Sequence, residues 1–173
     1  MKEMSCAFTG HRPQKFPWRY DESDKRCTAL KAALDAEIEK LIAEGIASFF
    51  SGMAEGVGQW AALSVLARRE SNPAIKLNCI LPWKGQADEW SQASQKRYQE
   101  ILRQADAVTY VGRDYQKDCL LKRNRHLVDS AAVLLAVYNG EWRGGTAATV
   151  RYAQKAGRKI IQIEPLTLKI TYL

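Results

Sequence analysis

Ala131-Ala132-Val133-Leu134-Leu135-Ala136-Val137-Tyr138 is an almost uninterrupted apolar run. A strand of this composition has no face to offer water, which is the condition of a central strand in a parallel sheet. It is followed by Asn139-Gly140-Glu141-Trp142-Arg143-Gly144-Gly145-Thr146, then by a helical stretch from Thr146 to Ala156 and by Gly157 as a stop. A second apolar run, Lys159 to Ile163, comes next. Strand, glycine-rich loop, helix and strand make one βαβ unit.

The same alternation extends toward the N-terminus. Short apolar runs fall at 5–9, 46–50, 76–81 and 107–111, and amphipathic stretches at 24–44, 57–69, 88–105 and 117–128 separate them. In the first of these stretches Leu30, Leu34, Ile38, Leu41 and Ile42 form a helical stripe, with Gly45 as the C-cap. In the third, Trp90, Tyr98, Ile101 and Leu102 are the expected buried positions. The predicted fold is α/β: a Rossmann-like three-layer sandwich with a mainly parallel central sheet. No repeat, linker or composition shift divides the chain, so 1–173 is expected to be a single domain. In the tail, 164–173, Leu166, Leu168, Ile170 and Tyr172 alternate with polar residues. That pattern suits an added edge strand, pairing with a second subunit, or a plain packed tail.

With 173 residues, 46% of them hydrophobic and 26% charged, the composition is that of an ordinary globular chain and excludes disordered and fibrous classes. Lys and Arg number 26 against 19 Asp and Glu, a net charge of +7. Residues 1–86 hold 12 basic and 10 acidic residues, and residues 87–173 hold 14 and 9, so the surplus falls mostly in the second half. An anionic partner is implied, and this placement suits a small phosphorylated ligand better than a long nucleic-acid track. The four cysteines, Cys6, Cys27, Cys79 and Cys119, include no CxxC pair, and there are only two His; no metal site is expected. Residues 1–4 do not read as a signal peptide, and no apolar run reaches the roughly 20 residues of a membrane span. A reduced, cytoplasmic protein is the simplest reading.

In an open α/β sheet, ligands bind beyond the carboxyl ends of the strands. Three glycine-bearing segments fall there: Thr9-Gly10-His11-Arg12-Pro13, Ser51-Gly52-Met53-Ala54-Glu55-Gly56-Val57-Gly58, and Asn139 to Thr146. In the third, Gly144 and Gly145 let the backbone approach a ligand, and Thr146 opens a helix whose free N–H groups favour phosphate. Neither a Walker A loop nor Gly-x-Gly-x-x-Gly occurs: Gly56-Val57-Gly58 is followed by Ala61 where a third glycine belongs. Arg123 and Arg125 suit phosphate capture or, equally, a solvated basic helix face. His11 reads as a general base or a structural hydrogen-bonder. Trp60 reads as core rather than as a base-stacking platform, and Trp83, at the mouth of the third strand, is placed where an aromatic could stack on a nucleobase. Lys and Arg at 143, 151, 155, 158 and 159 form a basic late segment with no acid among them.

Together, Phe8-Thr9-Gly10-His11-Arg12-Pro13, Ser51-Gly52-Met53-Ala54, Gln59-Trp60-Ala61-Ala62, Arg123-Asn124-Arg125 and Gly144-Gly145-Thr146 resemble the YpsA-like branch of the SLOG superfamily, in the same order and from Phe8 to about Ile163. That superfamily includes the DNA-processing protein DprA and the LOG phosphoribohydrolases. The resemblance implies a Rossmann-like fold and a site for a nucleotide or nucleotide derivative, including an NAD-derived ligand. From these motifs and the strand-end segments together, the expected ligand set is Gly10, His11, Arg12, Ser51, Gly52, Met53, Gly56, Trp83, Arg123, Arg125, Asn139, Gly144, Gly145 and Thr146. LOG enzymes carry Pro-Gly-Gly-x-Gly-Thr-x-x-Glu, and aligning on Gly145-Thr146 puts Thr149 at their catalytic Glu. At Gly58 the branch usually has Asp. The resulting expectation is a nucleotide-binding or sensing protein without catalytic residues. The alternatives are a DprA-like single-stranded DNA binder and a LOG-like nucleoside-monophosphate phosphoribohydrolase, for which Glu55 would have to supply the carboxylate. A protein effector and a homodimer are the further partners implied.

Overall fold

The structure, a computed structural model, describes residues 2–173. Its strands are β1 (Ser5–Gly10), β2 (Ser48–Ser51), β3 (Lys76–Leu81), β4 (Ala107–Tyr110), β5 (Val133–Val137), β6 (Lys159–Ile163) and β7 (Ile170–Tyr172). Its helices are α1 (Lys25–Ala43), α2 (Val57–Ser71), α3 (Gln92–Gln104), α4 (Cys119–Ser130) and α5 (Gly145–Lys155). They form one seven-stranded sheet in the order β4-β3-β2-β1-β5-β6-β7, parallel except for the antiparallel β7. The fold is Rossmann-like α/β.

Every residue of β5 is buried, and the apolar side chains of β1 and β5 alternate between the faces. Cys6, Phe8, Leu135 and Val137 pack on one side in a core built with α1, α2 and α3. On the other, Ala7, Leu134, Ala136 and Tyr138 meet α4 and α5. Trp60 is core, stacked on Phe16 at 5.8 Å between centroids. Tyr98 and Ile101 are buried as expected, whereas Trp90 and Leu102 are only partly covered. The α3 helix begins at Gln92 rather than near Asp88, because the Ser91 side chain caps it by accepting the Ser94 N–H. Likewise α5 begins at Gly145, one residue before Thr146, with Gly144 as N-cap at φ +105°.

The chain steps outward from β1 to β4, then returns through α4 to place β5 on the other side of β1. Right-handed crossovers put α1–α3 on one face and α4–α5 on the other, so the carboxyl ends of β1 and β5 part into a crevice at this switch point. The tail adds an edge strand. Its Tyr172 hydroxyl donates to both carboxylate oxygens of Glu37 at 3.1 and 3.2 Å, and Lys40 lies 3.3 Å from the same carboxylate. Glu37 is 1% exposed. Tyr172→Phe leaves that buried carboxylate with Lys40 alone, and a loss of about 1–3 kcal/mol is expected in urea denaturation. A change below about 0.3 kcal/mol would mean that Tyr172 contributes only its ring.

Candidate functional site

A cavity of about 900 Å³ opens at the switch point. Its walls are the end of β1 with the loop after it, the β2–α2 loop, the first turns of α4, and the β5–α5 loop. Glycines set the close approaches. A Cβ on Gly10 would lie 2.6 Å from Val57, the first residue of α2. A Cβ on Gly52 would lie 2.6 Å from the Arg123 guanidinium, so the arginine rests against bare backbone. Gly145 faces open space.

Two helices begin at this cavity. The N-caps of α2 and α5 are Gly56, at φ +85°, and Gly144; neither has a side chain to satisfy the first backbone N–H groups. Those groups and the positive ends of both helices remain available to an anion. Gly58 from one helix and Gly145 and Thr146 from the other line the cavity.

Arg123 contributes the buried charge. It is 3% exposed, and its partners are neutral: the Gly52 carbonyl at 2.5 Å, Gln86 Oε1 at 3.1 Å and Asn124 Oδ1 at 2.9 Å. No acidic side chain among the described residues pairs with it. Burial, with Arg12 nearby, pulls its pKa from the ordinary guanidinium value down to about 10. Arg12, Lys15 and Lys117 add cations to the same walls, against the carboxylates of Glu55, Asp118 and Glu141.

His11 is 4% exposed and its Nε2 accepts the Asn139 N–H at 3.2 Å. Burial holds its pKa below the usual value, so the ring is neutral at pH 7 with its proton on Nδ1, the nitrogen 3.9 Å from Glu141. Lys15 binds Glu141 at 2.9 Å, and this pairing keeps the carboxylate ionised below its usual range. The pair ties the β5–α5 loop to the segment after β1.

Of the residues singled out in the sequence, Gly10, His11, Arg12, Gly52, Met53, Arg123, Gly144, Gly145 and Thr146 line the cavity. Ser51 lies behind it: its hydroxyl donates to the Gly58 carbonyl at 2.7 Å and accepts the Met53 N–H at 3.1 Å. That hydrogen bond accompanies the left-handed backbone of Met53, at φ +62°. Gly56 turns the chain against Pro13, and Asn139 shapes the loop by accepting the Glu141 N–H at 2.9 Å. Arg125 and Trp83 lie elsewhere. Arg125 is two residues from Arg123 and so about 200° around the helix; its guanidinium sits over Tyr152, 5.4 Å from the ring. Trp83 borders a second cavity beyond β3 and β4. The sequence reading missed Lys15, Lys117 and Glu141, although Glu141 stands inside the third glycine segment.

At the position aligned with the LOG glutamate, Thr149 is 2% exposed and its hydroxyl donates to the Gly145 carbonyl of its own helix at 2.8 Å. A Cβ at Gly58 would stand 3.2 Å from the Met53 amide nitrogen, so this close-packed loop suits glycine. Glu55 lines the cavity and accepts a 2.7 Å hydrogen bond from Ser94. Among the described residues, no cluster of three or more His, Cys, Asp or Glu could hold a metal ion, and no helix is long and apolar enough to cross a membrane.

A parallel sheet with helices on both faces and a crevice at its switch point defines a Rossmann-like protein. The YpsA family model, described as the YspA SLOG family, matches residues 6–169, and the chain belongs to that family. UPF0398 protein BH1768 of Halalkalibacterium halodurans is 29% identical over 153 residues, covering 87% of this chain and 79% of that protein. Among solved structures, DprA from Streptococcus pneumoniae matches with a TM-score of 0.63 at 17% identity, covering 96% of this chain and 54% of that one. DprA from Helicobacter pylori, described for its single-stranded DNA binding mode, matches with a TM-score of 0.62 at 18% identity, covering 92% and 65%. The chain therefore spans between about half and two-thirds of these neighbours, and the likeness is one of fold.

Proposed function

We propose that the protein binds a nucleotide or nucleotide derivative in the switch-point cavity and acts as a binding or sensing module. One observation carries the reading: two helix N-termini without side-chain caps converge with a buried guanidinium that has no carboxylate partner. Burying a lone cation is costly, and an anion offsets that cost. The cavity volume suits a mononucleotide. Against hydrolysis of the LOG type stands Thr149, whose hydroxyl is taken up by its own helix.

The test is calorimetry with AMP, NAD, ADP-ribose and cyclic nucleotides, repeated on Gly145→Asp. A Cβ at Gly145 meets nothing within 4 Å, and the carboxylate it carries stands at a helix N-terminus, so folding stability is expected to hold or rise slightly. Affinity is expected to fall at least about ten-fold, because a fixed negative charge then occupies the anion's place. Unchanged affinity in this variant, or no binding by any of these compounds, would sink the reading.

Single-stranded DNA is the second reading, supported by the DprA-like fold. It also draws on Trp142, which is 77% exposed in the β5–α5 loop with the Arg151 guanidinium 4.8 Å from its ring centroid. One exposed aromatic is a short platform for a strand that stacks base after base. DNA retention that falls steeply with salt would favour it over a small ligand.

A further inference from the structure

We infer that the cavity beyond β3 and β4 is a second, aromatic subsite, and that the ligand carries two flat aromatic groups joined through phosphate. The chemical class is a 5′–5′ pyrophosphate-linked dinucleotide rather than a mononucleotide. The inference rests on the phosphate-binding reading of the main cavity.

The second cavity measures about 830 Å³, and Trp83 and Tyr110 form its aromatic walls. Trp83 is half-buried and held in place: its six-membered ring occupies the space where Gly85 lacks a side chain, and a Cβ there would come within 2.2 Å of it. Tyr115 meets the indole edge-on at 5.9 Å. Tyr110 is 41% exposed and Tyr115 62%, so these rings are not spent on the core. The Lys84 ammonium stands 5.9 Å from the centre of the Tyr110 ring, and Lys84 and Arg113 share the lining with Asp88 and Asp114 without a salt bridge to either. Aromatic faces beside unpaired cations suit a base attached to phosphate.

The two cavities share no lining residue, but the chain ties them closely. Asp114 borders the second and Lys117 the first, and three residues of chain span at most about 11 Å. Gly85 lines the second cavity, while its neighbour Gln86 donates to the Gly52 carbonyl at 3.2 Å and accepts from Arg123 at 3.1 Å. A ligand anchored by phosphate on Arg123 and the two helix ends thus has an aromatic wall within reach of its second head.

Calorimetry on the full chain compares AMP, diadenosine 5′,5′-diphosphate and the 3′–5′ dinucleotide pApA. The diphosphate is expected to bind about ten-fold more tightly than AMP, the gain of one stacked base. Trp83→Ala and, separately, Tyr110→Ala are expected to reduce it to the affinity of AMP while leaving AMP unchanged. If Trp83→Ala fails to fold, Tyr110→Ala carries the test, since its ring is already part-exposed. AMP binding with no advantage for the diphosphate, or variants that weaken both compounds alike, overturns this inference alone. An advantage confined to pApA overturns the pyrophosphate assignment. Failure of all three compounds to bind overturns the phosphate reading and this inference with it.

Discussion

In Arg123→Met the thermal shift produced by AMP is expected to disappear, while the melting temperature of the unliganded protein stays level or rises. The two halves have one cause. Methionine follows the arginine stem through the same buried space, so little packing is lost. The charge is what changes. A pKa drawn from the ordinary guanidinium value down to about 10 corresponds to roughly 3 kcal/mol of unfavourable burial. Against this, Gln86 Oε1 and Asn124 Oδ1 each lose a donor, but the Gly52 carbonyl keeps the Gln86 amide. Removing the guanidinium also removes charge-assisted hydrogen bonds to the anion, worth about 1.5–3 kcal/mol each, so affinity falls by ten- to a hundred-fold or more.

The pH dependence follows from the sign of the shift. A base whose folded pKa is depressed carries its full cost below the folded value, about 10, and sheds it only as pH rises from there toward the ordinary guanidinium value. The stability difference between wild type and Arg123→Met should therefore be flat from pH 6 to 9. A variant that melts several degrees lower, or that still binds AMP within two-fold, would contradict this account of the site.

The second large effect concerns stability. Gly10→Ala is expected to cost about 1–3 kcal/mol, because the new Cβ would stand 2.6–2.8 Å from all three carbons of the Val57 side chain. Val57 cannot turn aside: it is β-branched, 1% exposed and at the first residue of α2. The strain moves α2, whose N-terminus is a wall of the cavity. For a chain of this size the expected drop in melting temperature is about 2–10 °C. Val57→Ala makes room, so the double variant should lose less than the sum of the singles. Strict additivity would show that the contact is not the cause.

Much of the cavity was legible in the sequence because the features that build a strand-end loop are local. A glycine, a turn and a helix start lie within a few residues, as in Gly144-Gly145-Thr146 and in Gly52 to Gly58. What the sequence left open needs a direction in space. Arg123 and Arg125 read alike in a line, yet helical geometry turns one into the cavity and the other onto Tyr152. Trp83 does sit at a strand end, but β3 lies two strands from the switch point, and its ring borders the neighbouring cavity. Lys15 could be assigned only once Glu141, 126 residues away, was seen to face it.

The apolar run at 131–138 determined by itself that this is a doubly covered, mostly parallel α/β protein, since a strand with no polar face cannot sit at a wet surface. Alternation of period along the chain determined the order of the elements. Tertiary structure alone decided which strand ends meet. The return of the chain from β4 to a place beside β1 sets β5 next to β1, and that step draws glycine loops over a hundred residues apart around one buried arginine. Local propensity is written in neighbours along the chain. The uncompensated charge of Arg123 exists only because burial removes water from a group whose sequence neighbours, Lys122 and Asn124, carry no countercharge.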